Sequence, residues 1–222
     1  MIASHLVLKW AHIIAMVYWL GGEWGVFQTS YHVTNPKLSL DERRRHMETA
    51  YRIDILARLG IILLLPIGLH MGHNFGVQPL GGPWLVGMWI LAAAWVALAL
   101  AAFVHRGTDK GLKLTMFDDK IRYVLIPVLM GVGAWSLATG GPFTAKWYAA
   151  KVFLYSWMLV IGLVLRVVMR NWTATFRALA AGGPQAVLEA KLTREIGLAR
   201  ILAYIYWIGI GTIAFIGTTK FF

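Results

Sequence analysis

No cysteine occurs anywhere in the 222 residues, so the chain can form no disulfide, no thiolate metal site and no covalent thioether link to a haem. Charge is nearly as scarce. Charged residues make up 14% against 59% apolar, more apolar surface than a water-soluble fold of this size could hide. Acidic groups are the rarest of all, with 10 Asp and Glu facing 21 Lys and Arg. Internal repeats, low-complexity tracts and a separable soluble domain are also missing, so residues 1–222 read as one membrane domain.

What the chain does have is long apolar blocks, each close to the length a helix needs at about 1.5 Å per residue to cross a hydrocarbon layer of about 30 Å. They predict an all-α, polytopic bundle of six transmembrane helices over residues 4–30, 53–75, 83–105, 121–140, 146–169 and 197–219. The basic residues are segregated between these blocks. Of the 21 Lys and Arg, 17 fall in the stretches 31–58, 106–122 and 166–200; only Lys9, Lys146, Lys151 and Lys220 fall on the other side. The positive-inside bias then makes the first, third and fifth links cytoplasmic and puts both termini outside, in a bacterial cytoplasmic (inner) membrane. The formal charge of +11 is explained by topology and anionic lipid, and a nucleic-acid partner is not expected. The first span is too long and too rich in aromatic and ionisable residues for a cleaved signal, and reads as a retained anchor.

Punctuation refines the picture. Ser39 with Glu42 three residues on is a capping-box pattern, which starts a helix at Leu40 that runs on into the second span. Gly182, Gly183 and Pro184 stop one helix and admit the next, which feeds the last span. Short turns are expected over 78–83 and 140–142, and Pro66 and Pro127 fall inside spans, where each frees a carbonyl one turn back.

Ionisable residues inside spans are costly and are functional candidates for that reason. His12, His70, His73 and Lys151 fall in the outer half, with Glu23, Arg58 and Arg166 in the inner half. Helical rise puts His12 roughly 12 Å and His70 roughly 7 Å below the outer boundary, on neighbouring antiparallel helices. Two imidazoles at a shared depth are what a b-type haem needs for its two axial positions, without any covalent motif. His12 and His70 are the expected metal ligands. His73, on the same face as His70, is its substitute or a partner of the propionates. Lys151 suits a propionate, and Trp19, with Trp10 and Trp24, is placed to pack on a porphyrin. His5, His12 and Glu23 form one stripe on the first span, because steps of 7 and 11 residues at about 100° return to nearly the same angle. Such a stripe could carry protons between the haem and the cytoplasm. Alternatively Glu23 pairs with Arg58 as a contact between the first two spans. His46 and His105 are expected to be solvated at the basic surface.

The run Lys9-Trp10-Ala11-His12-Ile13-Ile14-Ala15, followed by Trp19-Leu20-Gly21-Gly22, resembles a first-helix pattern of several membrane families. They are the HemJ-type protoporphyrinogen oxidases, the CopD-type copper-resistance proteins and the membrane domain of cytochrome-linked urate oxidases. Trp147-Tyr148-Ala149-Ala150-Lys151-Val152-Phe153-Leu154, with Arg166 closing the span, is similar to a segment of the first two. The resemblance implies roles for His12 and Lys151 in binding haem b. Six spans exceed the usual HemJ-type number, the pair His70 and His73 has no counterpart there, and the Met/His-rich external segment that suits copper uptake is missing. The expected function is that of a haem b membrane protein in redox chemistry or electron transfer, linked to quinone or a partner protein. Alternatives are a HemJ-like protoporphyrinogen oxidase, and CopD-like copper transport or an accessory subunit of a complex. If the chain is an enzyme, it is a membrane oxidoreductase; a homo-oligomer or a larger complex is compatible with all of these.

Overall fold

The structure, a computed structural model, describes residues 2–221. It holds six α-helices and no strand among those residues: α1 (Ile2–Val33), α2 (Leu40–Asn74), α3 (Pro83–Val104), α4 (Asp109–Thr139), α5 (Lys146–Ala180) and α6 (Gln185–Thr219). Five of them, α2 to α6, are long and apolar enough to cross a membrane, which makes the chain a multi-pass membrane protein. The 32-residue α1 is long enough but is not one of the five; Lys9, Glu23, His5 and His12 lie along it among Trp10, Tyr18, Trp19 and Trp24.

The helix boundaries follow the local chemistry. At the start of α2 the Ser39 hydroxyl accepts from the Glu42 amide while the Glu42 carboxylate accepts from the Ser39 amide at 2.8 Å, a complete capping box. Thr108 caps α4 by accepting from Gly111. Gly182, at φ +77°, takes the left-handed turn that ends α5 before Pro184 opens α6. Pro66 and Pro127 lie inside α2 and α4.

Each helix packs on the next in sequence, α1 on α2 most extensively, and α6 returns to α1 while α5 touches α2. The links 34–39, 105–108 and 181–184 therefore share one end, the arginine-rich one, and 75–82 and 140–145 the other. Close approach of α1 and α2 requires Gly60: a Cβ there would stand 2.6 Å from the Ala15 carbonyl oxygen and 2.8 Å from the Trp19 nitrogen. At 35 residues, α2, α5 and α6 each run to about 50 Å, well beyond a hydrocarbon layer of about 30 Å. Their extensions at the arginine-rich end enclose a second apolar core of Met47, Ala50, Val168, Trp172, Phe176, Leu192 and Ile196. Arg43 pins this extension together. Its Nε donates to the Val33 carbonyl at 2.8 Å, and both terminal nitrogens reach the Glu189 carboxylate, at 2.6 and 2.7 Å. Exposed large side chains such as Ile90, Leu91, Val124, Val128, Ile205 and Ile208 cover the outside of the spans, the surface that lipid would contact.

Candidate functional site

A cavity of about 420 Å³ opens among α1, α2, α5 and α6 at the end opposite the arginine-rich links, within the range of small-molecule and cofactor sites. From α1 it receives His5, Lys9, His12, Met16 and Trp19, positions spaced by three and four that stay on one face. Gly68, Met71, Gly72 and Phe75 line it from α2; Trp147, Tyr148, Lys151 and Tyr155 from α5; Ile210, Gly217 and Lys220 from α6 and its end.

Its electrostatics are one-sided. Three lysines and two histidines line it and no Asp or Glu does. Lys151 makes no ion pair or hydrogen bond with a described residue, nor does either ring nitrogen of His12, whose Nδ1 is buried. Gly68 leaves the space beside the His12 ring, where even a Cβ would meet Cε1 only at 3.5 Å. At the mouth, Lys220 lies over the Phe75 ring at 4.2 Å and the Trp147 ring at 5.1 Å, and His5 meets Phe75 edge-on at 4.7 Å. The floor is Trp19, only 2% exposed, whose Nε1 donates to the Tyr206 hydroxyl at 3.0 Å and whose ring meets Tyr155 and Tyr206 edge-on.

His70 is not in this cavity. Its Nδ1 accepts from Trp89 Nε1 at 3.1 Å, so the ring faces α3. His73 shares that face, as the spacing predicts, and its ring lies beside Gly81 in the link to α3. The reason is angular. The cavity-facing positions of α2 and its C-cap run 64, 65, 68, 69, 71, 72 and 75, an arc on the helix, and residue 70, roughly 200° from Gly68, falls on the opposite side. His12 lies beside Gly68, close to the level of His70, but the two rings face different neighbours, so the expected axial pair is not assembled. Trp10 and Trp24 also lie elsewhere, Trp10 exposed and Trp24 against Trp207.

Comparison with family models, curated proteins and solved structures finds no match to this chain. The likeness to the HemJ and CopD types thus stands on the two quoted patches of sequence alone. Among the described residues, no three His, Cys, Asp or Glu side chains come together as a set that could hold a bare metal ion.

A second, smaller cavity of about 70 Å³ lies nearer the arginine-rich end, lined by Glu23, Asp54, Arg58, Arg122, Arg166, Arg200 and Tyr206 among others. Glu23 and Arg58 both face it, but they do not pair: Arg58 holds Asp54, one turn back on its own helix. Beside it lies a polar cluster that the sequence reading did not anticipate. Asp118 and Asp119 of α4 are 2% and 5% exposed. Arg166 reaches both, through Nη1 to Asp119 at 2.6 Å and through Nη2 to Asp118, and Arg170 reaches Asp119 at 2.6 Å. Arg122 stands 3.6 Å from Asp118, which also accepts from Trp95 Nε1. The signal available was the Asp-Asp pair just ahead of an apolar block with Arg166 and Arg170 one turn apart on another.

Proposed function

We propose that the chain crosses a bacterial cytoplasmic membrane six times, with both termini outside, and binds a b-type haem in the outer cavity for redox chemistry linked to quinone or a partner protein. The observation that carries this reading is a buried imidazole without a partner, facing a largely apolar cavity of cofactor size ringed by lysines that no carboxylate among the described residues opposes. The residues present fit the group in part. His12 would ligate the iron; Lys151, Lys9 and Lys220 would meet the carboxylates; Gly68 leaves room for a flat ring beside His12; Trp19 and Tyr155 close the site against the rest of the bundle. His70 does not reach it, and His5 sits at the mouth against Phe75, so ligation by both His12 and His70 is not part of the proposal.

A haem held by His12 would supply one-electron chemistry. The lysines also support a second reading, oxidation of a carboxylated tetrapyrrole in the HemJ manner, since they would orient the carboxylates of a substrate. No observation favours copper transport or an accessory role.

The test is a reduced-minus-oxidised spectrum with a pyridine haemochrome assay on the purified protein, on His12→Ala and on His70→Ala. Wild type shows a b-type signal, His12→Ala loses it, and His70→Ala keeps it. A signal that survives in His12→Ala, or a wild type without haem, overturns the proposal.

A further inference from the structure

The outer and inner cavities share a wall, and the hydrogen bond that crosses it has a fixed direction. Trp19 lines the outer cavity and Tyr206 the inner one. The indole N–H can only donate, so at 3.0 Å the Tyr206 oxygen accepts from it and keeps its own hydrogen for the inner side. The other phenol in the wall, Tyr155, is turned the same way out of reach, donating to the Ile61 carbonyl at 2.7 Å. A hydrogen-bonded chain that ends on an indole N–H cannot pass a proton onward, because the indole has no lone pair in the ring plane with which to accept one.

On the inner side sits Glu23, one turn from Trp19. It makes no hydrogen bond or ion pair with a described residue. The charged and titratable groups facing it are Asp54 and Arg58 from α2, Arg122 from α4, Arg166 from α5, and Arg200 and Tyr206 from α6. The cations are engaged elsewhere: Arg58 with Asp54, Arg122 and Arg166 with Asp118, Arg166 also with Asp119, and Arg200 with the Ser30 hydroxyl and carbonyl and with Thr34. Two further buried donors lining the cavity, Arg122 Nε and Trp172 Nε1, have no hydrogen-bond acceptor. The cavity has room for a few waters, and these orphan groups are what such waters would satisfy.

We propose that Glu23 is a one-sided proton-exchange site: its carboxylate takes up and releases protons through water in the inner cavity, toward the arginine-rich end, while the Trp19 to Tyr206 hydrogen bond seals it from the outer cavity. The step is proton transfer alone. An O–H bond forms on a Glu23 oxygen as one breaks on a cavity water, and no electron moves. The stripe His5, His12, Glu23 is thereby cut at Trp19, and Glu23 answers charge in the outer cavity through space rather than by a proton wire. This inference does not rest on the haem reading.

The test is infrared spectroscopy of the protein as isolated, reconstituted in sealed vesicles with the pH stepped on one face at a time. A carbonyl band of a protonated carboxyl titrates in wild type when the arginine-rich face is stepped, is lost in Glu23→Gln, and shifts in frequency in Tyr206→Phe, which removes the hydroxyl facing it. In Trp19→Phe the same band responds to steps on either face. A band unaffected by Glu23→Gln, or one that in wild type follows the opposite face, overturns the proposal. Both outcomes are read without reference to any haem spectrum, so failure here is separable from failure of the haem reading.

Discussion

Removing Asp119 is the sharpest test of how α4 and α5 are held together. Its two carboxylate oxygens each accept a charge-assisted bond at 2.6 Å, one from Arg166 and one from Arg170. Bonds of that kind contribute about 1.5 to 3 kcal/mol each. The two do not count alike. Arg170 has 41% of its side chain exposed and can return to water when Asp119 is gone, whereas Arg166, at 8%, stays buried and keeps only Asp118. Asp119→Ala therefore loses one bond almost in full and a fraction of the other, about 2 to 4 kcal/mol. For a chain of this length that corresponds to roughly 5 to 15 °C in melting temperature. Arg170→Ala removes one of the two bonds and leaves Asp119 held by Arg166, so it should cost less than Asp119→Ala. Thermal unfolding of the detergent-solubilised protein, followed by circular dichroism, measures both. Equal losses for the two variants, or an Asp119→Ala melting temperature within a degree or so of wild type, would refute the division into a buried and a solvent-exchangeable partner.

Three further outcomes follow from the packing and the topology. Gly60→Ala should destabilise, although alanine normally favours a helix by roughly 0.5 to 1 kcal/mol over glycine, because the atoms a Cβ would meet are backbone atoms of α1. Gly21→Ala, with open space around it, should be neutral or stabilising in the same melt; a Gly60→Ala protein as stable as wild type would contradict the close approach of α1 and α2. The Arg43 hydrogen bonds hold the Glu189 carboxyl below its ordinary value of 4.5, so the pair's contribution is complete above that pH and fades as acidification protonates the folded state. The melting-temperature gap between wild type and Glu189→Gln should thus be constant near neutrality and close under acid conditions, and a gap that widens on acidification would count against the pair. Because the chain has no cysteine, single introduced thiols report topology without background. In intact cells an impermeant maleimide should label Thr139→Cys directly and Ala181→Cys only after permeabilisation, and the reverse pattern would invert the proposed orientation.

The elements were legible where the signal is local. The capping box at Ser39, the break at Gly182 and Gly183, and the apolar blocks locate helices because each depends on residues within a turn of one another. The lengths were less legible. α4 begins at Asp109, twelve residues before the apolar block it was expected to open with, because polar helix packed in the arginine-rich extension carries no hydropathy signal. That shift is also why Asp118 and Asp119 were not read as interior groups. Glu23 is a different case: Arg58 and Arg166 share its half of the bundle, and the choice of Arg58 between Glu23 and Asp54 depends on Asp54 lying one turn from Arg58 on the same helix, where no second helix need be positioned.

The histidines show what separates a depth argument from a site. Rise along a helix fixes level to within a residue or so, and His12 lies beside Gly68, two residues from His70. Rotation about the axis is fixed by which neighbour each face meets, and α2 has three: α1, α3 and α5. The small residues Gly60, Gly68 and Gly72 mark its face toward α1 and α5, since a Cβ at Gly60 would meet Ala15 and Trp19, at Gly68 His12, and at Gly72 Tyr148. His70 and His73 are then left to α3 and its link. That assignment leaves the outer cavity with five basic side chains, no acidic one, and walls that are mostly apolar. The carboxylated ligand proposed above would match this lining, its carboxylates meeting Lys9, Lys151 and Lys220 while its apolar body fills the remainder.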